Sequence, residues 1–145
     1  MSTFLQWLVF VNFILITGLL LFISWQDILL RIISNSSLIV LLCLVVPYIA
    51  LQQRFPNVIA AVVVIAFFFP LFIFNIIGGG DVKLMSVLSM AFSWQQNADF
   101  FFIIAIFGSV IGIFGFLFYR QITRERGVPY GVAISLAFVF YNIIF

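Results

Sequence analysis

From Phe4 to Trp25 the chain runs 22 residues without a charged side chain. At about 1.5 Å per residue this is enough helix to cross a hydrocarbon layer about 30 Å thick. The run is too long for a signal-peptide core, has no basic segment before it and no small-residue cleavage site after it, so it reads as a retained span. Five further apolar runs follow, at about 38–51, 58–77, 82–94, 100–119 and 128–145. The second and fourth are short, with about 13–14 clearly apolar residues each, or roughly 20 Å of helix. Polar punctuation separates the runs at 34–37, 52–57, 78–81, 95–99 and 120–127. The expected fold is an all-α membrane protein: one domain over 1–145, a polytopic bundle of about six transmembrane helices, with no soluble domain.

Only 7% of the residues are charged and 66% are hydrophobic, far from a soluble domain, which is near half apolar and a quarter charged. Ten charged side chains cannot clothe a globule in water, and disorder needs the opposite composition. With no histidine there is no Ser-His-Asp or Cys-His system, and with one cysteine, Cys43, there is no internal disulfide or cysteine-rich metal cluster. A net charge of +2 gives no basic face for nucleic acid. A His-ligated metal is excluded by the same absence of histidine, and the expected surroundings are the lipid bilayer.

The basic residues instead report sidedness. Arg31, Lys83, Arg120, Arg124 and Arg126 fall in the first, third and fifth loops, and only Arg54 falls in the second or fourth. The positive-inside rule places the odd loops in the cytoplasm and both termini outside. Trp25, Trp94 and Tyr119 stand at expected span ends, where aromatic rings favour the interface.

Four acids remain. Glu125 lies between Arg124 and Arg126 and reads as a solvated loop charge, and Asp99 as a cap for the fifth helix. Asp27 ends the first span and Asp81 begins the fourth, so both belong on the cytoplasmic rim although 54 positions separate them. An acid at a membrane boundary is a functional candidate. The structural alternative is that Asp81 caps its helix and Asp27 pairs with Arg31 at i,i+4. The glycines Gly78-Gly79-Gly80 before Asp81 favour function, because such a backbone can lie close to a bound chain.

Gly78-Gly79-Gly80-Asp81 fits a GxGD motif, and the string GGGDVKL from Gly78 to Leu84 resembles the second-aspartate motif of type IV prepilin peptidases. Asp27 followed by Arg31, Ile33 and Asn35 resembles that family's first-aspartate motif, with Ser34 where proline is usual and Ile28-Leu29-Leu30 in place of part of a basic stretch. Pro129-Tyr130-Gly131 is similar to the segment opening the family's last helix.

The resemblance implies a membrane aspartyl endopeptidase of the short Tad/Flp type, in a bacterial cytoplasmic membrane. It would remove the cytoplasmic leader of a type IV prepilin or pseudopilin for pilus assembly or secretion, with Asp27 and Asp81 as its pair of acids. It also implies that the methyltransfer of larger members, which carry a cytoplasmic domain with paired cysteines, is not expected here. Lys83 is a candidate for a substrate carboxylate or for tuning the pair. Gly78 and Gly80 would shape the loop, Asn35 would bind substrate or shape the loop, and Pro129, Tyr130 and Gly131 would line the cleft.

Other features read as structural. Gly108 and Gly112, with Ala105 and Gly115, put small residues on one face of the fifth helix, suited to internal packing or to a homo-oligomer. Pro47 and Pro70 are expected to kink their helices, and Cys43 reads as a small apolar filler. The competing functions are a proton-coupled transporter or channel using the same acids as a relay, a noncatalytic scaffold, and a Ser-Lys hydrolase built on Lys83 and Ser86.

Overall fold

The computed structural model describes residues 3–145, and among these residues all regular structure is helical. The helices are α1 (Thr3–Leu30), α2 (Asn35–Leu51), α3 (Val58–Ile73), α4 (Gly79–Ser89), α5 (Trp94–Phe118), α6 (Arg120–Arg126) and α7 (Tyr130–Ile144). α7 and α4 occupy the middle. α7 packs on α1, α4 and α5; α4 packs on α2, α3 and α7; α1 also packs on α2. Ile16, Leu20, Ile23, Leu41, Leu84, Leu88, Phe100, Ile134 and Phe138 fill the interior.

Outside, the usual order is inverted. Trp7, Phe22, Ile59, Phe67, Phe102, Ile113 and Leu117 stand exposed around the bundle, an arrangement that suits lipid and not water. α1 and α5 are long and apolar enough to cross a membrane, and a third crossing results if α6 and α7, bent by 96°, are one broken span. α2 and α3 are apolar but have 17 and 16 residues, and α4 has only 11, or about 16 Å. Six full crossings therefore do not follow from helix length.

Several boundaries differ from the expected ones. α1 continues past Trp25 to Leu30, because Ile28, Leu29 and Leu30 keep it apolar, and it carries Asp27 inside the helix. α5 begins earlier than expected, at a capping box in which Ser93 accepts from the Gln96 N–H and Gln96 accepts from the Ser93 N–H. Asp99 therefore lies inside α5 and is not its cap. The loop at 120–127 is mostly the short α6, and Gly127 at φ 79° turns the chain into α7. Pro47 and Pro70 lie within α2 and α3, which run through them. Cys43 is exposed on α2 and fills no interior space.

The small-residue face of α5 is occupied from within. A Cβ on Gly108 would stand 3.0 Å from the Tyr130 ring, one on Gly112 3.6 Å from Val128, and one on Gly115 2.9 Å from Thr123. The face offered in sequence for a second copy receives α6 and the start of α7.

Candidate active site

Asp27 sits in the last turn of α1 and is only 6% exposed. A carboxylate so placed needs donors. Its Oδ2 accepts from the backbone N–H of Gly131 at 2.9 Å, in the first turn of α7, where the unpaired N–H groups favour an anion. The approach requires glycine: a Cβ at residue 131 would stand 2.8 Å from Asp27 Oδ2 and 3.1 Å from Cγ.

Asp81 lies in the first turn of α4, whose N-cap is Gly78, so it reaches back over the helix start and is not the cap itself. A Cβ on Gly78 would stand 3.1 Å from Asp81 Oδ2. Each acid thus rests against a glycine. Burial, and next the Asp27 carboxylate, push Asp81 up to about 7, while the Arg31 guanidinium and a hydrogen bond from the Gly78 backbone pull the other way.

Both acids line one cavity of about 320 Å³, together with Arg31, Asn75, Gly78, Arg126 and Tyr130. Arg31 follows α1 at φ 56°, and its Nε and Nη1 are buried without a hydrogen-bond partner. Its positive charge acts on both carboxyls. Sequence reading treated Arg31 as a sidedness marker and an i,i+4 partner. The signal for more was its place in the first-aspartate motif, directly after the helix that carries Asp27. Asn75, also at φ 56°, and Gly127 border the same cavity. Backbone held in sparsely populated regions often marks a functional rim.

The two aspartate segments are joined outside the cavity as well. A Cβ on Gly80 would stand 2.9 Å from the Ile33 Cβ, so the start of α4 lies hard against the segment after α1. Lys83 Nζ donates to Asn35 Oδ1 at 3.0 Å on the exposed surface. Lys83 and Asn35 are therefore partners of each other and do not line the acid cavity. Ser34, in the place of the expected proline, caps α2 by accepting from the Ser37 N–H. Pro129 is the N-cap residue of α7, and Tyr130 follows it into the cavity wall. The Ser-Lys pair is not assembled: Ser86 is buried and donates to the Ala61 carbonyl at 3.1 Å, while Lys83 is turned to Asn35.

A wider hollow, about 570 Å³, opens at the other end of the bundle among Arg54, Asn57, Phe92, Ser93 and Gln96. It contains no acid and so cannot supply paired carboxyl chemistry. Among the described residues, no three histidine, cysteine, aspartate or glutamate side chains group as metal ligands would. Two carboxyls with unequal surroundings, sharing a polar cavity, suit proton exchange with water and a carbonyl.

A family model described as the type IV leader peptidase family matches residues 14–113. The matched stretch takes in Asp27, Arg31, Asn35 and the Gly78–Lys83 segment, and ends before Pro129. No curated protein and no solved structure matches the chain.

Proposed function

The chain belongs to the type IV leader peptidase family, and from that premise we propose that Asp27 and Asp81 together hydrolyse the bond between the leader and the apolar helix of a Flp-like prepilin or pseudopilin. The observation that carries this reading is the shared cavity, in which Asp27 is held by Gly131 and Asp81 faces the same space beside Arg31. The basic residues of the odd loops support a cavity facing the cytoplasmic rim of the inner membrane, where a leader would meet the bilayer.

The surroundings divide the roles. Both acids have a backbone hydrogen bond at a helix start, Asp27 with Gly131 and Asp81 with Gly78, and Asp27 is assigned the charge because its carboxylate is what raises Asp81 further. Asp81, at about 7, is the one to hold the proton. Asp27 removes a proton from water as the water oxygen attacks the carbonyl carbon, and Asp81 gives its proton to the carbonyl oxygen. The resulting diol collapses: Asp27 passes its proton to the leaving nitrogen, the C–N bond breaks, and Asp81 recovers a proton from a diol hydroxyl. Both acids end as they began. Arg31 offsets the negative charge the pair carries, as a nearby cation does in a poorly solvated site.

The test is co-expression with a prepilin and its processing followed on a gel, with mass spectrometry of the product's new amino terminus. The shortened pilin should appear with the wild-type chain. A prepilin that stays full length beside a correctly inserted wild-type chain overturns the proposal.

A further inference from the structure

A second cavity of about 330 Å³ meets the first across Asp81. Asp81, Ile77 and Tyr130 line both. Beyond them the second cavity changes character: its walls are Phe68 of α3, Met85 of α4, and Phe101 and Ile104 of α5. Phe68 and Phe101 stack at 5.7 Å between α3 and α5, two helices that otherwise pack mainly on other partners, α4 for α3 and α7 for α5. Ile134 of α7 forms its floor, and Ala105 and Ser109 also line it and are exposed, so the cavity opens sideways on the apolar exterior of the bundle. Ser109 Oγ is already spent on the Ala105 carbonyl at 2.6 Å. Away from Asp81 and Tyr130, the cavity therefore asks for carbon and for no polar group.

We propose that this cavity is the subsite for the apolar side chains immediately following the scissile bond, and that the substrate's membrane helix reaches it sideways from the lipid, between α3 and α5 past Ala105 and Ser109. The inference rests on the peptidase reading and adds the path and the recognised chemistry. A peptide lying across Asp81 passes from a polar, arginine-bearing cavity into an apolar one. That matches a substrate whose polar leader gives way to an apolar helix at the bond cut. Large, apolar and exposed residues flank the opening, Phe102 and Ile106 among them, so a helix already in the bilayer needs no desolvation to arrive. Continuity with the acids selects a peptide over a lipid chain as occupant, since an acyl chain would gain nothing from Asp81 or Tyr130.

The test uses the full chain with Cys43→Ser and the inactivating Asp27→Asn, and a prepilin bearing one cysteine just past the cleavage site. Single cysteines at Ala105 and Ser109 should cross-link to it through a short bifunctional reagent, and one at the exposed Val110, which does not line the cavity, should not. In the otherwise native enzyme, Ala105→Phe should raise KM about tenfold with kcat little changed, while Val110→Phe leaves both alone. Equal cross-linking at Val110, absence of cross-links at Ala105 and Ser109, or an Ala105→Phe enzyme with native KM would overturn the subsite. Labelling of the cavity by a photoreactive lipid that substrate does not displace would do the same. Failure of the native chain to cleave any prepilin would instead remove the peptidase reading beneath it.

Discussion

The two ends of the bundle are built on opposite plans. At the end holding the α2–α3 and α4–α5 turns, a cluster of rings packs beneath an open hollow: Phe92 meets Phe100, Phe138 and Tyr141 at centroid distances of 4.9, 5.5 and 4.9 Å. Several polar side chains there bridge elements. Asn57 caps α3 and donates to the Phe92 carbonyl, and Tyr48 donates to Asn142. At the other end two acids and two arginines share a cavity, glycines replace side chains, and Arg31, Asn75 and Gly127 hold positive φ around it. Aromatic packing dominates the first end, and charged groups around a shared cavity the second.

That contrast can be broken by exchanging what each end does. Phe92→Ala empties a site in the ring cluster and should cost about 3–5 kcal/mol of stability. Leader cleavage per folded molecule should stay near native, checked by thermal unfolding in detergent beside an activity assay. Gly131→Ala should do the reverse. Its Cβ has no room beside Asp27, so kcat should fall about a hundredfold while KM and unfolding temperature change little. A Gly131→Ala enzyme with native kcat would show that the close approach is packing alone.

The pH profile sharpens the same comparison. Asp81 must hold a proton to give one, and that proton is lost as pH rises through about 7. Cleavage should therefore decline above neutrality, by about tenfold per pH unit on the alkaline limb. Arg31→Met removes the cation that pulls Asp81 downward, so the limb should move to higher pH. The smallest effect is expected at Lys83→Met, which breaks only an exposed bond to Asn35 and should change cleavage by less than about twofold.

The sequence showed these ends unevenly. α1 and α5 were plain, because long uncharged runs have few other solutions, and the acids stood out because the chain has only four. Parity of the spans was enough to expect Asp27 and Asp81 on one rim. The 96° bend between α6 and α7 was hidden, since Arg120–Arg126 reads as a polar loop until Gly127 and Pro129 are seen to turn it. The start of α5 could have been found: Ser93 and Gln96 stand at capping-box spacing. Lys83 and Asn35 were each assigned to the site because motif position says nothing of which way a side chain turns. Arg31 was left out of it for the same reason. Gly131 was placed in the cleft, but that its missing side chain makes room for Asp27 is a relation across 104 positions that no local pattern contains.

The central claim is that the two acids work as one unit. Single-turnover cleavage of a prepilin by purified native, Asp27→Asn, Asp81→Asn and doubly substituted enzyme tests it most directly. The expected result is that both single variants fall by about a thousandfold or more to the floor of the double variant, since a cooperating pair loses nearly everything with its first member. Either single variant cleaving within about tenfold of native, or losses that multiply in the double variant, would contradict it.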